Sequence, residues 1–169
     1  SSAAIVDDVV YAGTATGELI AVGLNDGKLR WRYKAGEAIG ESTPTVANGR
    51  VFIGDLIGVV HAVNIADGKP AWTFKTQWEI KSSPVLIGDL LLMGSYDGKL
   101  YGLDETTGTN VWTGTVGAQV NRPDEHNLSE PLTGLGAGEG LIVVPASSLL
   151  VAFESVPTTP VIYVEQGTN

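Results

Sequence analysis

The 169-residue chain contains no cysteine. This excludes disulfides, zinc–thiolate centres and thiol catalysis together, and leaves the compartment open. Basic residues are scarce: ten Lys and Arg against nineteen Asp and Glu give a net charge of −9. Phosphate backbones attract basic surfaces, so no nucleic-acid partner is expected. No apolar run is long enough to span a bilayer. No signal peptide is present in the sequence, which opens at Ser1 without a methionine, as a processed, recombinant or fragmentary chain would. Long 3.6-residue periodicities are missing too. Apolar residues make up 43% and charged residues 17%, enough for a packed core, and glycine is frequent, at 22. The combination predicts an all-β chain with many tight turns.

What is present repeats. The stretch AVGLNDGKLRW (21–31) aligns with AVNIADGKPAW (62–72) and GLDETTGTNVW (102–112). Trp31 and Trp72 lie 41 residues apart, Trp72 and Trp112 lie 40 apart. Each window opens on a small residue, Ala21, Ala62 or Gly102, and carries a glycine four before its tryptophan: Gly27, Gly68 or Gly108. The upstream stretches 2–13, 43–54 and 83–94 align without a gap and read as two short apolar strands around a tight turn. A glycine-bounded loop follows, then the hairpin that ends on tryptophan, giving four strands a to d per unit. A fourth unit follows an insertion at 120–140, with GLIVVP (140–145) as its second strand and LLVAF (149–153) as its third. There Ala152 takes the small-residue position, Thr158 the glycine position, Ile162 the tryptophan position, and Gly167 follows as Gly36 and Gly117 do.

Units of about forty residues with four antiparallel strands are the signature of propeller blades. The A-x-D/N-x-x-x-G-x-x-x-W pattern resembles the tryptophan-docking motif of the PQQ-like (pyrroloquinoline-quinone dehydrogenase-type) β-propeller repeat family. It is similar to non-enzymatic members such as the outer-membrane assembly lipoprotein propeller. The resemblance implies an all-β fold of four four-stranded blades, about 1–37, 38–78, 79–118 and 119–169, forming half of an eight-bladed ring. It implies that Trp31, Trp72 and Trp112 are buried girdle residues stapling blade to blade, with a small residue making room for each. It also implies an extracytoplasmic scaffold that binds a protein partner, and a second copy or the other half of the propeller to complete the ring. Two alternatives stand: a fragment of a PQQ-dependent dehydrogenase, and the sensor domain of a membrane receptor or kinase. Relatives that hold PQQ resemble one another in a Glu/Asn/Asp calcium site, a stacking tryptophan and often a vicinal cysteine pair. With no cysteine and no such triad here, no cofactor and no catalytic residue is expected.

Catalytic signatures such as G-x-S-x-G, H-E-x-x-H and the P-loop are absent, and GLGAGEG (134–140) reads as a flexible loop. His61 is expected to be a half-buried strand residue. Asp124, Glu125 and His126 form a weak metal candidate in the insertion, where a solvated polar loop is the competing reading. In a propeller the b–c and d–a loops share one face. That face carries Trp78, outside the docking motif at the position held elsewhere by Glu37 and Ala118. A lone loop aromatic is a binding candidate, with packing over the blade edge as its alternative. Trp78, Glu37, Tyr96 and Arg122 are therefore the candidate partner-binding residues. Glu37, Glu41, Glu79, Asp124, Glu125 and Glu130 should make the face acidic, with Arg122, Lys75 and Lys81 as exceptions.

Overall fold

In the computed structural model, residues 2–39, 41–121 and 134–154 are described. They form β-strands and turns only, in four antiparallel sheets that follow one another along the chain. The first sheet is β1 (Ala4–Val6), β2 (Val9–Gly13), β3 (Glu18–Gly23) and β4 (Leu29–Lys34), in that order. The second is β5 (Thr45–Ala47), β6 (Arg50–Gly54), β7 (Val59–Asn64) and β8 (Pro70–Lys75). The third is β9 (Val85–Ile87), β10 (Leu90–Gly94), β11 (Lys99–Asp104) and β12 (Asn110–Thr115). The fourth holds β13 (Gly136–Gly138), β14 (Leu141–Ala146) and β15 (Leu149–Glu154). The innermost strands β1, β5, β9 and β13 neighbour one another in sequence order, so the sheets stand side by side like blades.

The first hairpin of each unit turns on residues that tolerate positive φ. Asn48 and Gly49 hold φ of 49° and 76° between β5 and β6, the two-residue geometry that matches the twist of the strands. The expectation of a flexible loop over 134–140 is corrected: Gly136–Gly138 pairs with Val143, Ile142 and Leu141 as an inner strand. Glycine carries no side-chain alternation, so pairing there leaves no trace in the sequence pattern. The positions assigned to the fourth strand of this unit, Thr158, Ile162 and Gly167, lie outside the described residues. So do Arg122, Asp124, Glu125, Glu130 and His126.

Three cores hold the sheets together. Leu19, Tyr11 and Ala21 of the first sheet pack with Val51, Ile53 and Val63 of the second. Phe52, Val60 and Ala62 of the second pack with Leu91, Met93 and Leu103 of the third. Leu92 and Leu100 of the third pack with Ile142, Val144, Val151 and Phe153 of the fourth. Inner strands are thus apolar on both faces, as sheets packed on both sides require.

The motif residues meet as follows. Ala21 pairs across the ladder with Trp31, Ala62 with Trp72 and Gly102 with Trp112, and each ladder shifts register just past that pair. The small residue therefore makes room for the tryptophan of its own sheet. The indole then reaches the next sheet. Trp31 donates its Nε1–H to the Ile65 carbonyl at 2.8 Å, and Trp72 does the same to Glu105 at 2.9 Å. The floor under each ring is the next unit's turn glycine: a Cβ at Gly68 would stand 2.8 Å from the Trp31 ring, and one at Gly108 2.6 Å from the Trp72 ring. Trp112 instead packs edge-on against Phe153 of the fourth sheet, 5.3 Å between centroids. The three tryptophans are half-buried, not buried as expected, because they stand on the outermost strand of their sheets.

Candidate interaction face

The b–c and d–a loops are stitched by backbone hydrogen bonds at equivalent places in each unit. Ala35, Thr76 and Val116 donate to the carbonyls of Gly17, Gly58 and Gly98. Ile39, Ile80 and Val120 donate to Thr14, Asp55 and Ser95. Leu56 to Ala38 (3.0 Å) and Tyr96 to Glu79 (2.9 Å) then join each d–a loop to the following sheet. Ile39, Ile80 and Val120 are buried plugs, and each fills the space that a Cβ at Gly13, Gly54 or Gly94 would need. This explains why a glycine closes strand b in all three units.

One residue sits over each stitch: Glu37, Trp78 or Ala118. Its backbone lies against Gly17, Gly58 or Gly98 respectively. The main chain is the same three times while the side chain changes. At Trp78 the carbonyl accepts from the hydroxyls of Thr76 at 2.6 Å and Ser95 at 3.3 Å, which fixes the backbone. The indole itself is 60% exposed. Ile57, also exposed, precedes the Gly58 that abuts Trp78, and Lys75 donates its ammonium to the Ile57 carbonyl. Two large apolar side chains therefore rise from adjoining, restrained backbone.

Glu37 is exposed on the same face, and Tyr96 is half-buried in the third sheet's loop. Asn121 donates to the Tyr96 hydroxyl at 3.1 Å, and the Lys81 ammonium lies 4.4 Å above the Tyr96 ring. Burial works to lower the Lys81 pKa, but Glu41, then Tyr96 and Glu79, outweigh it and hold the ammonium above its ordinary value. Lys81 and Glu79 pair at 3.4 Å. Among the described residues, the acidic expectation for this face rests on Glu37, Glu41 and Glu79.

Beneath the loops lies a polar cluster that the sequence pattern hid. His61 is 3% exposed, a correction to the half-buried expectation. Its Nε2 donates to Asp55 Oδ2 at 3.0 Å, leaving Nδ1 to accept the Tyr33 hydroxyl of the first sheet at 3.0 Å. Asp55 Oδ1 also accepts from the backbone of Ile57 and Val59. In the third sheet Tyr101 occupies the place of His61 and donates to Asp97 at 2.6 Å. Burial first, then this hydrogen bond and the charge of Asp97, push the Tyr101 hydroxyl well above its ordinary pKa. Both clusters tie a back-facing side chain to its own loop. Among the described residues, no three His, Asp or Glu side chains converge on one point, and no helix is long and apolar enough to cross a membrane. A cleft of about 890 Å³ opens at the opposite end, between the turns around Gly88 and Glu139.

Comparison with known proteins places the arrangement. No curated protein matches the chain. BamB from Moraxella catarrhalis superposes with a TM-score of 0.71 at 22% identity, over 90% of this chain and 45% of that one. The computationally designed Ika4 protein gives 0.74 at 16% identity, over 91% of this chain and 89% of the design. A europium-containing methanol dehydrogenase gives 0.69 at 16% identity, over 90% of this chain and 39% of the enzyme. The chain thus spans less than half of the natural proteins it resembles, and at these identities the likeness establishes the propeller fold. A family model described as outer membrane protein assembly factor BamB matches residues 1–155. With the docked tryptophans and blade-like sheets, this match shows that the chain belongs to the BamB family of PQQ-like propeller repeats.

Proposed function

We propose that the chain is a non-enzymatic propeller scaffold, working outside the cytoplasm, whose loop face recognises a protein partner through Trp78. The observation that carries this reading is the display at the stitch: one fixed backbone position presenting Glu37, Trp78 and Ala118 in successive units, with the indole 60% exposed. A large aromatic held out on restrained main chain loses little entropy on binding and is the side chain most often central to an interface. Ile57 adds apolar area beside it, and Glu37 and Glu79 supply negative charge. The fitting partner segment offers apolar side chains flanked by Lys or Arg. Tyr96 and Arg122 belong to this face in the same reading. The family's description as an outer membrane protein assembly factor supports both the binding role and the envelope location. The blade units 1–37, 38–78, 79–118 and 119–169 then form half of an eight-bladed ring.

The test is a pull-down of solubilised envelope proteins on the immobilised chain. Trp78→Ala should weaken capture of the same bands while leaving the thermal midpoint unchanged. Equal capture by both forms would remove Trp78 from the site. The methanol dehydrogenase likeness favours a second reading, a fragment of a PQQ-dependent enzyme. Calorimetric titration with PQQ and calcium separates the two: the scaffold gives no saturable heat, whereas micromolar binding would replace it with the enzyme.

A further inference from the structure

At the end of the sheets opposite the Trp78 face, the three junctions between neighbouring sheets differ. Between the first and second sheets, Val6 and Val9 pack with Val46 and Ile65. Between the second and third, Arg50 reaches Glu105 at 2.8 Å, and Asn48 donates to the same carboxylate at 3.4 Å. Between the third and fourth, the equivalent space is open and forms the cleft of about 890 Å³.

Strand register identifies the side chains that are missing there. Val46 lies opposite Val51, Leu86 opposite Leu91 and Ala137 opposite Ile142, so these three share one repeat position. Val46 and Leu86 are half-buried, each packed on the core shared with the preceding sheet. Ala137 is exposed and stands between two glycines. The turn that follows is unchanged. Glu139 and Gly140 hold φ of 49° and 78°, as Asn48 and Gly49 hold 49° and 76°. The strand thus keeps its backbone and loses the side chain that fills the junction elsewhere. On the facing wall Leu90 opens β10 as Arg50 opens β6, so the bridging guanidinium is replaced as well.

The resulting cleft is apolar with charge of one sign. Ile87 is 40% exposed in it and Val111 58%. Among the described residues, the ionisable side chains lining it are Asp89, Asp104 and Glu139, all acidic. Asp104 Oδ1 accepts from the hydroxyl and the amide of Thr107 and from the amide of Thr106. These bonds, the Thr107 hydroxyl first, hold its carboxyl below the usual range, so it stays ionised. Arg50 acts on Asp104 in the same direction, but its guanidinium is paired with Glu105 in the neighbouring junction.

We propose that this cleft binds a small amphipathic amine, with its aliphatic body against Ile87, Leu90 and Val111 and its ammonium at Asp89 and Glu139 on the two turns. The volume is that of a small-ligand site, an apolar slot with a few polar groups that fix orientation. The charge selects the class: an ammonium is attracted by the lining, whereas a carboxylate of the same length is repelled. The site lies between two sheets within the described chain. It rests neither on Trp78 nor on how the ring is completed.

The probe is n-octylammonium, titrated at pH 7 into the isotope-labelled chain and followed by amide nuclear magnetic resonance. Gly88, Gly138 and Gly140 report directly, since all three line the cleft. Their signals should shift saturably, with a dissociation constant below about 1 mM. Octanoate should bind at least about tenfold more weakly, with octanol between the two. Ala137→Leu installs the side chain found at Leu86 and should weaken octylammonium at least about tenfold by filling the slot. Ala137→Val, after Val46, is the milder form should the leucine disturb folding, which the spread of amide signals checks. Glu139→Asn takes the residue that Asn48 supplies at the same φ. It should reduce the preference for octylammonium over octanol about threefold and leave octanol binding unchanged. Trp78→Ala should leave every one of these values as in the wild type. Shifts that do not saturate, or that fall outside the cleft, would overturn the site. Undiminished binding by both Ala137 variants would do the same. Equal affinity for octanoate and octylammonium would overturn the amine as its ligand.

Discussion

The indole of Trp72 lies on Gly108 of the following sheet, so close that a Cβ at that glycine would stand 2.6 Å from the ring. The same indole donates to the Glu105 carbonyl three residues earlier in the turn. One side chain thus reads both the shape and the polarity of a neighbouring turn. Trp72→Phe keeps most of the ring and loses the hydrogen bond, and should cost about 1 kcal/mol. Trp72→Ala loses half-buried packing as well, and should cost about 2–4 kcal/mol, below a fully buried tryptophan. Gly108→Ala meets both the ring and a left-handed φ of 73°, and should cost about 2–3 kcal/mol. Gly117→Ala is the control: its φ is 85° but a Cβ there meets open space. Urea midpoints check the order. Equal costs at the two glycines would show that the indole contact contributes nothing.

Asp55 is fully buried and receives three hydrogen bonds, from Ile57 N, Val59 N and His61 Nε2. Asp55→Ala leaves those donors without a partner inside the protein and should cost about 2–4 kcal/mol. Tyr33→Phe removes only the far end of the chain, the hydroxyl on His61 Nδ1, and should cost about 1 kcal/mol. Because Tyr33 belongs to the first sheet and His61 to the second, this bond also sets how those sheets meet. A midpoint for Asp55→Ala no lower than that for Tyr33→Phe would show that the cluster is dispensable.

Tyr101 supplies a pH dependence with a definite sign. Its hydroxyl is raised from an ordinary 10.0 by burial and by Asp97. The folded chain therefore holds this proton more tightly than the unfolded chain does. The associated stability is complete below pH about 10 and declines as pH rises from there toward the folded value. Tyr11 and Tyr33 are also raised, by burial first and then by Asp7 and Asp55 respectively, and add to the same trend. Urea midpoints measured between pH 8 and 11 should fall for the wild type and fall less for Tyr101→Phe. Parallel curves would show that Tyr101 ionises alike in both states.

The fold was legible because its signature is itself a contact. Trp31, Trp72 and Trp112 recur at about forty residues because each must sit opposite a small residue and reach the next sheet, and glycines 68 and 108 recur because they floor the rings. The strand Gly136–Gly138 was illegible because glycine has no side chain to alternate. The Tyr33–His61–Asp55 chain was illegible for another reason. Tyr33 and His61 lie 28 residues apart on different sheets, and only the packing of those sheets brings them together. The role of Gly68 and Gly108 was half legible: spacing marked them as turn residues, but not that the ring above each belongs to the preceding unit. Trp78 stood out because it broke the repeat, and its exposure follows from the same fact. Nothing in the repeat provides a floor for a ring at that position.

The Trp78 backbone is held by Thr76, Ser95 and Gly58, none of which depends on the indole. Glu37 and Ala118 occupy the same place with unrelated side chains, so the backbone there does not depend on an indole. Trp78→Ser should therefore shift the unfolding midpoint by no more than about 0.5 kcal/mol, in contrast with Trp72→Ala. Fluorescence distinguishes the four tryptophans at the same time. Acrylamide should quench the wild-type chain in two phases, a readily accessible one from Trp78 and a slower one from the three half-buried rings. The accessible phase should vanish in Trp78→Ser while the slower phase is unchanged. A loss of stability comparable to that of Trp72→Ala would mean that the indole packs against the structure, and Trp78 would then belong to the framework instead of the recognition surface.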